Sequence, residues 1–91
     1  FQNVPNTPEL RERFPQFAEK THVPAGFLID QAGMKGQHIG DIEVSHKHAA
    51  FMINKGHGTA AQLTQLISLV QKRVLDTFGV HLQEEVFYLG E

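Results

Sequence analysis

The sequence contains no cysteine and no tryptophan, and it carries little net charge. Because cysteine is absent, the chain has no disulfide, no thiolate metal ligand and no cysteine nucleophile, which suits a reducing compartment. The formal net charge of −2 over 91 residues argues against a general electrostatic attraction to nucleic acid or to an anionic membrane surface. We therefore expect a cytoplasmic protein that has neither nucleic acid nor a membrane as its partner.

Long hydrophobic runs are also missing, since no stretch approaches the ~20 apolar residues that span a bilayer. Apolar residues make up 41% of the sequence and charged residues 20%, which is typical of a globular domain. A chain of 91 residues forms one domain with a modest core, because it buries roughly 60–65% of its unfolded surface. The chain begins at Phe1 rather than at methionine, and we expect a piece of a longer polypeptide.

Glycine is concentrated in one stretch, AGFLIDQAGMKGQHIG, which has four glycines within residues 25–40. Pro24 can begin a short helix there, and Gly33 is typical of its end. Lys35 then lies between two glycines. It is either a solvated turn lysine or a cation at the edge of a binding cleft.

Residues 59–78 give the clearest secondary-structure pattern. Thr59 and Gln62 have the spacing of a capping box, and Gly79 is typical of a helix end. Apolar residues repeat at the i, i+3, i+4, i+7 spacing that places side chains on one face of a helix. This pattern predicts one long helix over 59–78. Its predicted buried face consists of Leu63, Leu66, Ile67, Val70, Val74 and Phe78.

The rest of the chain has the pattern of short elements. Residues 9–14 predict a charged helix whose weak apolar face suggests a surface excursion. Residues 37–39, 41–44 and 49–54 are short extended segments, and residues 85–89 predict a last strand. Helices mixed with short strands, without regular βαβ alternation, predict an α+β fold in which a small, mostly antiparallel sheet packs against helices.

Six histidines raise the question of a metal site. His46 and His48 form an H-x-H pair, and on a strand the residues i and i+2 share a face, so both could bind one ion. No carboxylate or third histidine lies at a recognisable metal spacing. Solvated histidines are therefore the favoured interpretation, and a histidine metal-binding module is the alternative.

Two further patterns have both a plain and a functional interpretation. Glu84 and Glu85 are adjacent and point to opposite faces of a strand, so they are either solvated or include one buried acid. The segment GHGT, residues 56–59, is either a turn with a helix cap or an anion site at free backbone amides. The residues alone therefore indicate an α+β domain, with an anionic ligand as one open interpretation.

Three stretches taken in order resemble one known family. They are AGFLIDQAGMKGQHIGDIEVSHKHAAFMIN (25–54), GTAAQL (58–63) and FGVHLQEEVFYLGE (78–91). Together they are similar to the C-terminal domain of UDP-N-acetylenolpyruvoylglucosamine reductase, a flavoenzyme family of bacterial peptidoglycan synthesis. The resemblance covers nearly the whole chain, so it implies that residues 1–91 form one substrate-binding domain.

The resemblance implies a division of roles within a longer polypeptide. Two upstream domains bind FAD, and NADPH reduces the flavin. The flavin gives hydride to the enolpyruvyl group of UDP-N-acetylglucosamine enolpyruvate, and a serine protonates the neighbouring carbon, which yields UDP-N-acetylmuramate. The third domain closes over this nucleotide sugar, and the isolated chain is expected to be inactive. A stand-alone binding module for a nucleotide sugar or a protein, without redox chemistry, is the alternative.

The resemblance also assigns a catalytic residue. The family's final L-x-P-E-V-R-x-x-G matches residues 82–90, which places Glu85 at the glutamate that stabilises the enol-like intermediate. This sequence departs from the family by having Glu84 in place of proline and Phe87 in place of arginine.

Three further positions match the family where it contacts substrate. Asn3 matches the end of the serine motif G-S-x-F-K-N-P, near the substrate diphosphate, and the catalytic serine would precede Phe1 by two residues. His48 lies in the stretch similar to V-S-x-K-H, at a position that contacts ligand in relatives. Lys35 is a candidate for the rim of the cleft, and this chemistry implies no metal.

Overall fold

A computed structural model describes residues 1–84, in which two small antiparallel sheets pack against three helices. The predicted α+β fold is thereby confirmed. Residues 85–91, with the strand predicted over 85–89, lie outside the described part. The elements in chain order are β1 Val4–Pro5, α1 Pro8–Arg13, a 3-10 helix Pro15–Phe17, β2 His22–Val23, α2 Ala25–Gln31, β3 His38–Ile39, β4 Ile42–Val44, β5 Met52–Asn54 and α3 Ala60–Phe78.

The long helix α3 follows the sequence prediction because its signals are local. Thr59 Oγ1 accepts from Gln62 N at 3.1 Å, and Gln62 Oε1 accepts from Thr59 N at 3.0 Å, which completes the capping box. The helix ends at Gly79. Neither α3 nor any other helix within residues 1–84 is long and apolar enough to cross a membrane. The fully buried side chains of α3 are Leu66, Val70 and Val74.

The predicted buried face of α3 is wrong at its first position. Leu63 is 38% exposed, because it lies on the first turn beside β5, and the described part of the chain does not cover it. Ile67 and Phe78 are only half-buried. The buried stripe is narrower than the periodicity implies, since the sheet under α3 has only three short strands.

The sheet under α3 has the strand order β3-β4-β5, and both of its strand pairs are antiparallel. Side chains alternate along β4, so Ile42 and Val44 join the core while Glu43 points to the opposite, outer face. His38 on β3 and Ile53 on β5 are the cross-strand partners of Glu43. These three side chains therefore share the outer face of the sheet.

The helix predicted over residues 9–14 was expected to lie on the surface, but it contributes to the core. Leu10 on α1 and Phe14 just after it are 3% and 9% exposed. The Phe14 ring lies edge-on to Phe27 of α2, with centroids 4.9 Å apart, and to Phe78 of α3 at 5.6 Å. Aromatic packing between rings distant in sequence therefore holds this short helix in place.

Replacing Leu66 by alanine should lower the free energy of unfolding by about 2–5 kcal/mol, because L66A removes a fully buried side chain and leaves a cavity. L69A on the same helix is the matched control, since Leu69 is 39% exposed and its truncation should cost about 1 kcal/mol or less. Urea unfolding followed by circular dichroism measures both variants. Equal losses would contradict the packing of α3 on the sheet.

Candidate functional site

The first and last described residues lie side by side. Gln2 N donates to Gln83 O at 2.9 Å, and the neighbouring Leu82 is buried in the core. Asn3 is therefore one residue away from a backbone pairing that leads directly toward Glu85. Glu85 itself lies outside the described residues, so its catalytic role stays a prediction.

Asn3 stabilises the start of α2. Its side-chain Oδ1 accepts a hydrogen bond from Ala25 N at 3.1 Å. The N-cap residue of this helix is Pro24, which has no side-chain acceptor, so Asn3 fills the capping role from a distant part of the chain. Within residues 1–84 the Nδ2 group of Asn3 donates no hydrogen bond.

His48 lies in the connection between β4 and β5, residues 45–51, which we call the β4–β5 loop. Ser45 N donates to Phe51 O at 3.0 Å and closes the loop at its base. The backbone of His48 is held twice, since its N donates to Ser45 Oγ at 3.2 Å and its O accepts from Phe51 N at 2.9 Å. The imidazole is exposed and lies edge-on to the Phe51 ring. The loop therefore presents His48 to solvent from a fixed backbone.

The premise of the metal alternative, two histidines on one face of a strand, is wrong. His46 and His48 lie in the β4–β5 loop rather than on a strand. The ring of His46 turns back toward the sheet, whereas that of His48 contacts Phe51. Within residues 1–84, no three His, Asp or Glu side chains are grouped so that they could hold a metal ion.

Lys35 lies on the turn after α2, residues 33–37, which we call the glycine turn. Lys35 Nζ is 3.8 Å from Asp30 Oδ2, and both side chains are partly exposed. Gly36 has a φ of +82°, which favours glycine, and a Cβ there would lie 2.5 Å from His46 Cε1. The glycine turn therefore contacts the β4–β5 loop through the ring of His46.

The three predicted substrate-binding residues thus lie on segments that contact one another, although their side chains make no mutual hydrogen bond within the described chain. Phe1 N donates to Ala50 O at 3.3 Å, which brings the segment of Asn3 to the β4–β5 loop of His48. The glycine turn of Lys35 reaches the same loop. Their roles toward a ligand stay predictions.

Sequence reasoning missed Glu43, the one charged residue that is buried within residues 1–84, at 7% exposure. Lys55 Nζ lies 2.6 Å from Glu43 Oε1, and His46 Nε2 lies 3.4 Å from Glu43 Oε2. Lys55 directly follows β5, so Glu43 joins three segments at the outer face of the sheet. A single strand-centre glutamate gives no local signal, because both partners come from other segments.

The charges around Glu43 favour its ionised form. The pKa of the Glu43 carboxyl is lowered from its ordinary 4.5, chiefly because Lys55 donates a hydrogen bond to it. Burial acts in the opposite direction, and the nearby positive charges of Lys55, His46 and His38 lower the pKa further. The pKa of Lys55 is raised from 10.5, mainly by the same hydrogen bond.

A shallow cavity of about 180 Å³ opens between β5 and the start of α3. Ile53 and Leu63, which are 44% and 38% exposed, form part of its apolar wall. Ligand pockets usually measure about 300–1,000 Å³, so this cavity alone does not enclose a nucleotide sugar.

The contribution of Glu43 to stability should depend on pH. A carboxyl with a lowered pKa stabilises the fold fully above its unfolded pKa, and this contribution is lost as the pH falls through the folded pKa. The difference in unfolding free energy between wild type and E43Q should therefore be larger at about pH 6 than at about pH 3. Denaturant titrations at both pH values measure this difference.

D76N is the control for this titration, since it removes a carboxylate from the exposed Lys72–Asp76 ion pair on α3. Its unfolding free energy should differ from that of wild type by a similar small amount at both pH values. A difference for E43Q that does not shrink on acidification would contradict the ionised state assigned to Glu43.

Comparison with known proteins identifies the family. Residues 1–89 match the family described as UDP-N-acetylenolpyruvoylglucosamine reductase, C-terminal domain. A protein of that reductase name from Lactiplantibacillus plantarum is 49% identical over 75 residues, which cover 82% of this chain and 25% of that protein. One from Desulfosudis oleivorans is 48% identical over 68 residues, or 75% of this chain and 22% of that protein.

A third relative, UDP-N-acetylenolpyruvoylglucosamine reductase 2 from Bacillus thuringiensis subsp. konkukian, is 51% identical over 67 residues, covering 74% of this chain and 22% of that protein. The chain thus spans about a quarter of the length of the curated relatives it matches. The match over residues 1–89, together with these identities, shows that the chain belongs to the C-terminal domain family of UDP-N-acetylenolpyruvoylglucosamine reductase.

Proposed function

We propose that the chain is the substrate-binding domain of a reductase that converts UDP-N-acetylglucosamine enolpyruvate to UDP-N-acetylmuramate for bacterial peptidoglycan synthesis. Family membership over residues 1–89 supports this reaction, and so do the names of the relatives. Because the chain spans about a quarter of those relatives, the reaction would belong to a longer polypeptide. This polypeptide would act in the cytoplasm, where nucleotide sugars are made.

One observation carries the proposal: the 2.9 Å hydrogen bond from Gln2 N to Gln83 O. It joins the segment that matches the family's serine motif to the segment that leads to the family's glutamate. Glu85 follows Gln83 by two residues, a separation of at most about 7 Å along an extended chain. The proton-donating serine and the glutamate would therefore approach the enolpyruvyl group from the same edge of this domain.

The role proposed for Glu85 follows from the negative charge that develops during the reaction. Hydride addition to the enolpyruvyl group gives an enol-like intermediate, whose negative charge accumulates beside the substrate carboxylate. A positioned acid stabilises such charge most effectively when water is excluded from the site. We assign this role to Glu85.

Three side chains within residues 1–84 would bind the nucleotide-sugar part of the substrate. Asn3 offers its Nδ2 group to a diphosphate oxygen, while its Oδ1 remains on the backbone of α2. His48 presents an exposed ring from the fixed backbone of the β4–β5 loop. Lys35, on the adjoining glycine turn, would add a positive charge at the rim, where it also pairs loosely with Asp30.

The cavity beside β5 is too small to enclose a flavin. It holds about 180 Å³, below the ~300 Å³ of the smaller ligand pockets, and it is lined mostly by apolar side chains. FAD and NADPH, which would supply the hydride, are therefore assigned to the other domains of the longer polypeptide. No step of the flavin chemistry is assigned to this chain.

Exposed apolar side chains favour a domain within an enzyme over a stand-alone binding module. Phe51 is 53% exposed, and Ile53 and Leu63 next to the cavity are 44% and 38% exposed. Ile53 and Leu63 line the same cavity, and exposed apolar groups gathered in this way are typical of surfaces that another domain covers. We propose that the preceding domains of the same polypeptide cover them.

The first test is E85Q in the full-length reductase. This variant should bind FAD and accept electrons from NADPH normally, whereas the substrate should reoxidise the reduced flavin about 100-fold more slowly or worse. Stopped-flow absorbance near 450 nm, a wavelength at which oxidised flavin absorbs, measures both half-reactions.

E84Q is the matched control, because Glu84 is the exposed neighbour of Glu85 and replaces the family's proline. It should leave flavin reoxidation within about twofold of wild type, since surface substitutions change free energies little. Unchanged single-turnover reoxidation in E85Q would rule out the assignment of the catalytic glutamate.

A further inference from the structure

We propose that Glu43 is a positioning residue, which holds the β4–β5 loop and the glycine turn in the geometry that binds the nucleotide sugar. This inference rests on the proposed function. It concerns a side chain on the outer face of the sheet, which touches neither the substrate nor the reacting atoms.

Glu43 is held by its strand neighbours and by an ion pair with Lys55. It lies at the centre of β4 between His38 and Ile53 on the two neighbouring strands, so its backbone is fixed on both sides. Its carboxylate is nearly inaccessible to water, and Lys55 Nζ holds one oxygen at 2.6 Å. A buried carboxylate that is hydrogen-bonded to a charged partner keeps one orientation, because losing that hydrogen bond would leave a desolvated charge.

The next contact is with the β4–β5 loop. The remaining oxygen, Oε2, faces His46 Nε2 at 3.4 Å. His46 is the residue after Ser45, whose hydroxyl accepts from Lys47 N and His48 N at 3.2 Å. The contact between Glu43 and His46 therefore restrains the β4–β5 loop two residues before His48. The loop has no buried side chain of its own before Ala49, so this polar contact replaces apolar packing.

The last contact is with the glycine turn. The His46 ring lies so close over Gly36 that a Cβ there would collide with it. Gly36 N also donates to Val44 O at 3.0 Å, and Val44 N donates to Gln37 O at 2.8 Å, so Val44 pairs with two successive residues as in a β-bulge. The ring of His46, although largely exposed, thus contacts both Glu43 and the turn that carries Lys35.

These contacts connect Glu43 to both segments that carry predicted ligand-binding residues. The two segments, which carry His48 and Lys35, each have backbone hydrogen bonds of their own, and they share one side-chain contact, from Glu43 through His46, on the face of the sheet opposite the core. Removing the charge of Glu43 should loosen both segments at once and weaken binding of the substrate. The chemical step should be spared, because the proposed function assigns Glu43 no part in proton transfer or in stabilising the developing charge.

The test uses steady-state kinetics of the full-length reductase with UDP-N-acetylglucosamine enolpyruvate and NADPH. E43Q should raise the KM for the nucleotide sugar about tenfold, within the range for residues of one hydrogen-bond network, and leave kcat within about twofold. H46A should have the same effect and should fold normally, because the His46 side chain is 73% exposed. The double variant should be no worse than the poorer single one, since both residues act through one contact.

D76N is the control, since it breaks an exposed ion pair on α3 and should leave both kinetic constants unchanged. KM values for E43Q and H46A equal to wild type would overturn the inference, and so would effects that add in the double variant. A fall in kcat with an unchanged KM would also overturn it. A wild-type enzyme that does not turn over this substrate would overturn the proposed function itself, and this inference with it.

Discussion

The packing of α3 on one face of a very short sheet is the constraint on which the rest of the structure depends. Strands of two or three residues are marginal on their own, and they persist here because Ile42 and Val44 of β4 share a core with Leu66, Val70 and Val74 of α3. Helix α3 packs on the apolar face of the sheet. The polar side-chain interactions of β4 therefore lie on the opposite face, where Glu43 provides them.

The two faces of the sheet have different roles, since one packs in the core and the other carries the buried carboxylate. The inner face supplies the hydrophobic free energy that keeps a small core together. The outer face carries one buried carboxylate, and the segments around it are connections rather than regular elements. Binding residues are commonly placed on loops that a rigid scaffold holds, and here the side chains of Glu43 and His46 add a contact to the backbone hydrogen bonds that join the β4–β5 loop and the glycine turn to the sheet.

Local signals explain what could be predicted from the sequence. The ends of α3 follow from Thr59, Gln62 and Gly79, and the three strands under α3 fall within the predicted extended segments. The strands β1 and β2 follow from no such pattern. The role of Asn3 as the cap of α2 spans 22 positions, and the surroundings of Glu43 follow from strand register and two connections. The burial of Phe14 likewise depends on two distant rings. The spacing of apolar residues along the sequence gives no information about these long-range contacts.

The cap that Asn3 places on α2 has an energetic consequence for recognition. A side chain that is free in solution loses about 0.5–1.5 kcal/mol of conformational entropy when a ligand immobilises it. Folding has already fixed the rotamer of Asn3, because Oδ1 is committed to Ala25 N. Under the proposed function, a diphosphate oxygen that accepts from Nδ2 would meet a preorganised donor. The entropic cost of ordering the Asn3 side chain would then be part of the free energy of folding rather than of the free energy of binding.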